Sequence, residues 1–372
     1  MTSYVVVGKS ARVVTAVLQG VHSFAGAPCV VIGNEETRRL RWSSLCARHT
    51  FIGFDGRYDQ LVADVINGMH ATQRDTIVIP ADCPATRLIH RIRDRLEARV
   101  IPIADAPTLE LMDDKWHFHQ FCEQLRLRVP TTIPIGDKSN LYFNDLCETL
   151  GLPFVLKPSN ESGSLGVQIV SSRAQFDALM ADPEYAFDNL IAQRHIDGED
   201  IDLSLLAIGG RVMAYAIQRA RGAKLEFVEH AELTAMAKKL CAASGYNGVM
   251  HLDARIARGS GEVYLIESNP RFWATLTAAA WAGLNFPLES TRQHDGGAVR
   301  ALTSGSAPLR HPLLNPTTWR TVLKDRGQQG RLGRSEILDM YMLGRLTRTL
   351  PAMAARRLGE WAGKGRRTRG RA

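Results

Sequence analysis

The most informative stretch of the chain is Val263-Tyr264-Leu265-Ile266-Glu267-Ser268-Asn269-Pro270-Arg271. This run predicts a β-strand, in which alternate side chains share a face. Glu267 and Asn269 are therefore predicted to point the same way, with Arg271 next along. A carboxylate and an amide oxygen suit Mg²⁺, and an arginine beside them could stabilise charge on a transferring phosphoryl group. The alternative is a solvated polar edge that binds nothing.

A second acidic residue falls at a meaningful distance from this stretch. Asp253 lies fourteen residues before Glu267. Residues 248–256 and 262–268 are predicted to form a hairpin-like pair around Arg258-Gly259-Ser260-Gly261. Such a pair would bring Asp253 beside Glu267.

Two earlier segments have features of a nucleotide site. Residues 153–158 form a strand that ends in Lys157 and a loop of small residues, which suits a polyphosphate because backbone N–H groups can approach its oxygens. An ordinary hairpin is the alternative.

Residues 190–200 combine a strand, a short linker and an acidic pair, which could present backbone groups to a purine and a carboxylate to a ribose. An ordinary turn is the alternative there.

Taken together, residues 109–288 resemble the ATP-grasp superfamily, in particular its carbamoyl-phosphate-synthase-like and carboxylate–amine ligase members. The matching pieces occur in one order, and the most specific is the E-x-N-P-R string that begins at Glu267. The pieces are Asp114-Lys115, Leu127-Arg128-Val129-Pro130-Thr131, Val155-Leu156-Lys157-Pro158 with its Ser/Gly loop, Gln193-Arg194-His195-Ile196-Asp197-Gly198-Glu199, Asp253, and Ile266-Glu267-Ser268-Asn269-Pro270-Arg271.

The resemblance implies a role for each matching position. The residues expected to bind ATP are Lys115, Lys157, Ser162, Gly163, Ser164, Gly166, Gln193, Arg194, Ile196 and Glu199. Within this set the lysines contact phosphates, residues 162–166 form a mobile loop, and residues 193–196 form the adenine hinge. Glu199 is the expected ribose ligand, with the register uncertain by one because Asp200 follows. Asp253, Glu267 and Asn269 are the expected ligands of Mg²⁺ or Mn²⁺, and Arg271 and Lys157 the expected catalytic residues.

The implied activity is a two-step ligation. A substrate carboxylate attacks the γ-phosphate of Mg-ATP to give an acyl phosphate and ADP, and an amine then displaces phosphate. An ATP-dependent carboxylase that activates bicarbonate is the alternative enzyme, and a nucleotide-binding scaffold without catalysis is a third possibility. Possible contacts to the acceptor are Gln218, Arg219, Arg221, His230 and Trp273, each of which also suits a surface or packing role.

The remaining sequence predicts the domain organisation. Strand-like and helix-like patterns alternate through the first hundred residues, which predicts a parallel sheet. The predicted helices include residues 11–19, ending near Gly20, and residues 86–98. Further helices are predicted over residues 109–125 and, with a basic character, over residues 337–353. The loop Gly8-Lys9-Ser10 is not a P-loop, because Ser3 stands where its first glycine would be. We expect a Rossmann-like α/β pre-ATP-grasp domain at residues 1–105 and an α+β ATP-grasp domain at residues 106–292. The second includes a mobile subdomain at about residues 113–192, and residues 293–372 form an irregular segment, a basic amphipathic helix and a Gly/Arg tail.

Composition and charge limit the partners. The chain has 372 residues and a formal charge of +8, but residues 319–372 contain 14 Lys plus Arg and 4 Asp plus Glu. The excess charge therefore belongs to the tail, which could touch an anionic membrane weakly or simply be solvated. No nucleic-acid motif is present. Six scattered cysteines and the lack of a signal or membrane-spanning segment predict a cytoplasmic protein with reduced thiols. The expected partners are small-molecule substrates, and a homo-oligomer is left open.

Overall fold

The N-terminal part of the chain forms a five-stranded parallel sheet in the order β3-β2-β1-β4-β5. The computed structural model describes residues 2–73, 75–136, 141–161, 163–293, 298–308, 322–339 and 341–342. The elements here are β1 Ser3–Gly8, α1 Ala11–Ala25, β2 Cys29–Gly33, β3 Cys46–Phe51, α2 Asp59–Gln73, β4 Thr76–Pro80, α3 Cys83–Ile92 and β5 Arg99–Val100. The predicted α/β fold is confirmed. Val5 and Val7 pack in one core cluster and Val6 in another, because helices cover both faces.

Two local predictions in this part need correction, and one strand was missed. Helix α1 does not end near Gly20 but continues to Ala25 and is capped by Gly26. Gly20 instead allows close packing, since a Cβ there would lie 2.8 Å from Pro287. The helix predicted over residues 86–98 begins earlier, at Cys83, and ends at Ile92. Strand β3 was not predicted, because its mostly polar, partly exposed residues carry no buried-strand pattern.

The loop after β1 binds a carboxylate of the protein itself. Asp82 Oδ2 accepts hydrogen bonds from the backbone N–H groups of Lys9 at 2.7 Å and Ser10 at 2.8 Å. These are donors that a phosphate would need in a P-loop. The geometry therefore agrees with the exclusion of a P-loop made from the sequence.

A small antiparallel sheet of four strands follows, in the order β6-β9-β7-β8. Its elements are β6 Thr132–Ile135, α6 Phe143–Leu150, β7 Phe154–Pro158, β8 Gln168–Val170, α7 Arg173–Ala181 and β9 Leu190–Arg194. Phe154 and Phe176 pack in its core. The helix predicted over residues 109–125 is two helices, α4 Ala106–Asp113 and α5 Lys115–Gln124. The break occurs because the Asp114 side chain caps α5 by accepting from the N–H groups of Trp116 and His117.

The larger sheet is mostly antiparallel, in the order β14-β13-β10-β11-β12-β16, with β15 beside β11. The remaining elements are β10 Gly198–Ile208, β11 Arg211–Arg221, β12 Lys224–Val228, α8 Ala231–Ser244, β13 Gly248–Ala257, β14 Val263–Asn269, α9 Leu276–Trp281, α10 Phe286–Thr291, β15 Arg300–Leu302, β16 Ser306–Pro308 and α11 Gln328–Leu338. The predicted α+β character and the β13–β14 hairpin are confirmed. The domain boundaries and the mobility of the small subdomain stay predictions.

The last described segment is tied to the N-terminal domain through a buried acid. Asp339 Oδ2 accepts from Ser43 Oγ at 2.8 Å, Ser44 N at 2.7 Å and Ser44 Oγ at 2.8 Å. Most of the predicted basic helix at residues 337–353, and all of the Gly/Arg tail, lie outside the described residues. No helix in the described part of the chain has the length and apolarity needed to cross a membrane.

Candidate active site

Four polar side chains form one row across the larger sheet. Asp253 pairs in register with Glu267 on one side and with Asp202 on the other. Asp202 in turn pairs with Gln218. Residues directly opposite each other in an antiparallel sheet share a face, so the row runs from Glu267 on the edge strand to Gln218 on β11. The adjacency of Asp253 and Glu267 predicted from the sequence is confirmed.

Two buried lysines converge on the Glu267 end of this row. Lys115 Nζ lies 3.6 Å and Lys157 Nζ 3.9 Å from Glu267 Oε2. Lys115 begins helix α5, Lys157 lies near the end of β7, and Glu267 belongs to the larger sheet. A hydrogen bond of 2.7 Å from Ser159 Oγ to Asp114 Oδ2 fastens the two lysine-bearing elements together. The site is therefore assembled from three separate parts of the fold.

The environment of Lys157 lowers the pKa of its ammonium group. Burial lowers its pKa to about 8, and the neighbouring charge of Lys115 acts in the same direction. The carboxylates of Glu267 and Asp253 oppose this shift without cancelling it. A polyanion would reverse the effect, because it stabilises the ammonium form. The surroundings of Lys157 thus favour an added negative charge.

Asn269 and Arg271 complete the oxygen-rich edge of the row. Asn269 Nδ2 donates to Asp253 Oδ2 at 3.3 Å, and Arg271 donates from Nη2 to Asn269 Oδ1 at 2.7 Å. Asp253, Glu267 and Asn269 thereby offer carboxylate and amide oxygens within one small region. This donor set fits Mg²⁺ or Mn²⁺, which prefer hard oxygen ligands.

The loop between β7 and β8 has an unusual backbone. Gly163, Ser164 and Gly166 all have φ near +70°, at 70°, 64° and 71°. The carbonyl of Gly166 accepts a hydrogen bond of 2.9 Å from the Tyr185 hydroxyl, which holds this end of the loop. Leu165 between them is 56% exposed. Ser162, also predicted to contact phosphate, lies outside the described residues.

The predicted adenine hinge lies where β9 meets β10. The backbone N–H of Arg194 donates to the Thr131 carbonyl at 2.9 Å, and the Gln193 amide donates to Thr132 Oγ1 at 2.9 Å. Both donors are thus engaged within the small sheet. The contact of Ile196, just beyond the strand, with a purine stays a prediction.

The structure separates the two candidates for the ribose contact. Strand alternation puts Asp200 on the same face as Asp202 and Asp253, with its partner Arg255 at 3.1 Å. Glu199 lies on the opposite face and pairs with Arg221 at 3.2 Å. The geometry therefore favours Asp200 over the predicted Glu199.

The five possible acceptor residues divide into two groups. Gln218 and Trp273 are buried at the row: the Gln218 amide lies between Asp202 and Thr275, and Trp273 stacks on His251 with ring centroids 5.3 Å apart. The others serve elsewhere. Arg219 pairs with Glu226 at 3.4 Å, Arg221 with Glu199, and His230 caps helix α8.

Two residues near Asp253 escaped the sequence analysis, one in the row and one beside it. Asp202 and His251 both face the site, with His251 Nε2 3.2 Å from Asp253 Oδ1. Burial alone would lower the pKa of His251, but its hydrogen bond to Asp253 and the charges of Asp253 and Asp202 raise it overall. Burial raises the pKa of Asp202 to about 6. Counting back two positions from Asp253 along β13 would have indicated His251.

Known families and structures match this arrangement. Residues 186–311 match the family described as "ATP-grasp in the biosynthetic pathway with Ter operon", and residues 134–228 match "D-ala D-ala ligase C-terminus". The chain is 30% identical to the D-alanine–D-alanine ligase of Anaeromyxobacter sp. (strain K) over 173 residues, which cover 41% of this chain and 56% of that ligase. The chain thus spans about half the length of this curated relative.

Two solved structures share the fold over most of the chain. An L-amino acid ligase from Bacillus licheniformis aligns with a TM-score of 0.56 and 16% identity, covering 77% of this chain and 72% of that one. An N5-carboxyaminoimidazole synthetase from Staphylococcus aureus, complexed with ADP, aligns with a TM-score of 0.59 and 11% identity, covering 83% and 80%. The fold, the site and these matches define an ATP-grasp architecture. Residues 134–311 are thus similar to ATP-grasp families, and the chain has the ATP-grasp fold.

Proposed function

We propose that the protein is an ATP-dependent ligase that activates a small-molecule carboxylate as an acyl phosphate and joins it to an amine, releasing ADP and phosphate. The observation that carries the proposal is the convergence of Lys115 and Lys157 on Glu267. Buried ammonium groups beside a metal-type donor set suit the phosphates of ATP. The family matches support the same assignment.

The first step needs positioning and charge more than proton transfer. A carboxylate oxygen of the substrate attacks the γ-phosphorus of ATP, the bond from that phosphorus to the bridging oxygen breaks, and ADP leaves. A carboxylate is already ionised at neutral pH, so no base is required. Lys115 and Lys157 would hold the phosphates, and Arg271 would stabilise the charge on the transferred group.

The second step joins the two substrates. The amine nitrogen attacks the acyl carbon, the carbon–oxygen bond to phosphate breaks, and the amine proton is released. When bound by Asp253, Glu267 and Asn269, Mg²⁺ or Mn²⁺ would neutralise phosphate charge. Closure of the loop at residues 162–166 would exclude water from the site, because water would otherwise hydrolyse the acyl phosphate.

The test measures ADP release by the full chain with Mg-ATP. Pools of amino and hydroxy acids are supplied as carboxylates, with and without amines, and bicarbonate replaces them in a separate reaction. We expect ADP release that depends on both a carboxylate and an amine, with mass spectrometry identifying the condensed product. Release with bicarbonate alone would instead indicate the carboxylase.

A matched variant makes the test specific. Glu267→Gln keeps the shape of the side chain but removes the charge, so it should lower ADP release by at least 100-fold, in the range expected when a transition-state charge interaction is lost. Glu262→Gln, in the exposed hairpin turn, is the control and should act like the wild type. The ligase proposal fails if ATP does not bind or if Glu267→Gln turns over normally.

A further inference from the structure

Beside the proposed magnesium ligands, the fold assembles a second group of metal-binding side chains. Ligand atoms of Asp202, His251 and Asp253 all lie within 4.8 Å of one another. His251 Nε2 is 3.2 Å from Asp253 Oδ1 and 4.0 Å from Asp202 Oδ2. Only Asp253 belongs to the set assigned above, so Asp202 and His251 need a separate explanation.

These distances suit ligands of a common ion. Zinc binds nitrogen and carboxylate oxygen at about 2.0–2.2 Å, so two such ligands at tetrahedral or octahedral angles lie about 2.8–3.6 Å apart. The His251–Asp253 separation falls within that range. The Asp202 oxygen needs to move by about 0.5 Å or more to reach it, a shift within the freedom of one carboxylate rotation.

The imidazole of His251 is held as histidine ligands are held in metal sites. Its Nδ1 lies 2.9 Å from Ser204 Oγ, so the hydroxyl fixes one ring nitrogen and leaves Nε2 directed at the two carboxylates. The ring also stacks on Trp273 with an interplanar angle of 13°. Metal-binding histidines typically have their second nitrogen fixed in this way by a hydrogen-bonding partner.

The charge of the row favours a cation at this end. Asp202, Asp253 and Glu267 place three carboxylates in one register line. Lys115 and Lys157 lie beside Glu267, at the other end, whereas Asp202 lies 4.0 Å from His251.

We propose that Asp202, His251 and Asp253 bind a second divalent cation, distinct from the ion that Glu267 and Asn269 would hold with the nucleotide. One imidazole and two carboxylates suit Zn²⁺ or Mn²⁺ better than Mg²⁺, because nitrogen ligands favour transition metals. The site is built by the protein alone, so binding requires no nucleotide and the proposal does not depend on the proposed ligase activity. Asp253 is shared by the two ions.

The experiment titrates the metal-free full chain with Zn²⁺, Mn²⁺ and Mg²⁺ in the absence of nucleotide, by calorimetry and, for Mn²⁺, by electron paramagnetic resonance. We expect one equivalent of Zn²⁺ or Mn²⁺ to bind more tightly than Mg²⁺. His251→Asn and Asp202→Asn should each weaken that equivalent at least tenfold. Ser204→Ala removes no ligand but frees the imidazole, and it should weaken binding about tenfold.

Asp94→Asn is the matched control, because it neutralises an exposed carboxylate that belongs to neither set of ligands. The metal affinity of this variant should stay within twofold of the wild type. The proposal is overturned if neither Zn²⁺ nor Mn²⁺ binds saturably, if His251→Asn binds like the wild type, or if Asp94→Asn loses the same equivalent. If thermal melts show that His251→Asn does not fold, the Ser204→Ala titration replaces it, and wild-type affinity in that variant overturns the proposal. ATP binding is measured separately, so a failure of the ligase proposal remains distinguishable.

Discussion

The Lys157 ammonium group lies 3.9 Å from the Glu267 carboxylate and so connects the small sheet to the edge strand of the larger one. The two residues are far apart in sequence and come from different motifs. Their contact, joined by Lys115 at 3.6 Å, places phosphate-type and metal-type ligands in one site. Most of the following predictions depend on this arrangement.

The first prediction concerns pH. Since burial lowers the pKa of Lys157 to about 8, the free protein loses this charge as the pH rises through that value. A bound polyphosphate favours the protonated form, so Mg-ADP binding should take up a proton above about pH 8. The Kd should be flat below about pH 7 and rise toward tenfold per unit above pH 8. Calorimetry in buffers of different ionisation enthalpy measures both quantities.

Lys157→Arg is the control for this pH effect. A guanidinium group keeps its proton throughout the range, so the variant should show neither proton uptake nor a change of Kd between about pH 7 and 9. A wild-type protein that binds Mg-ADP without taking up a proton would contradict the assignment of Lys157.

The second prediction compares two glycines of the loop between β7 and β8. Gly163 and Gly166 share a left-handed backbone, with φ of 70° and 71°. A Cβ at Gly166 would lie 2.6 Å from Phe187 Cε2, whereas one at Gly163 meets nothing within 4 Å. Alanine at either site costs about 1 kcal/mol of backbone strain, but only Gly166→Ala also displaces the loop.

Steady-state kinetics for ATP should separate these two variants. We expect Gly166→Ala to lower kcat/KM at least tenfold and Gly163→Ala to lower it less than about fivefold, the change that 1 kcal/mol allows. Equal losses would mean that the contact with Phe187 does not position the loop.

The third prediction addresses Arg271. Its Nη2 holds Asn269 Oδ1 at 2.7 Å, and its Nη1 donates to the Phe272 carbonyl at 2.9 Å. Lysine cannot make both bonds, so Arg271→Lys should lower kcat by about 10²–10³ while changing the Kd for ATP less than threefold. Single-turnover ADP formation measures this effect. Arg258→Lys, in the exposed hairpin turn, is the control and should keep the wild-type kcat. If Arg271→Lys instead raises the Kd for ATP as much as it lowers kcat, Arg271 acts in nucleotide binding.

The fourth prediction concerns stability. The buried Asp339 carboxylate accepts from Ser43, Ser44 and the backbone N–H groups of Tyr341 and Met342. Asparagine would turn one acceptor oxygen into a donor facing other donors, which should cost about 2–3 kcal/mol of unfolding free energy. Urea denaturation of Asp339→Asn tests this, with the exposed Asp94→Asn expected to stay within about 0.5 kcal/mol of wild type. Equal stabilities would show that the C-terminal segment contributes little to the fold.

Much of the site could be predicted because its motifs are local. The alternation of a strand places Glu267 and Asn269 on one face, and a short turn between two strands brings Asp253 beside Glu267. Both relations depend on a few consecutive residues. The sequence also predicted the strand that ends in Lys157 and the glycine-containing loop after it, because these too depend on neighbouring residues. These features were enough to indicate the superfamily.

The tertiary structure decided what depends on register between distant strands and on packing between sheets. Asp202 and Asp253 meet because β10 pairs with β13, fifty residues later, and nothing local fixes that alignment. The same register puts Asp200 rather than Glu199 on the site face, since a shift of one residue exchanges the faces of a strand. Helix α1 continues past Gly20, and the missing side chain there leaves room for Pro287. The sequence alone determined the strands and turns that carry the chemistry, because neighbouring residues set them. The positions of Lys115, Lys157 and His251 around the row of acids required the folded chain, because long-range pairing and burial set them.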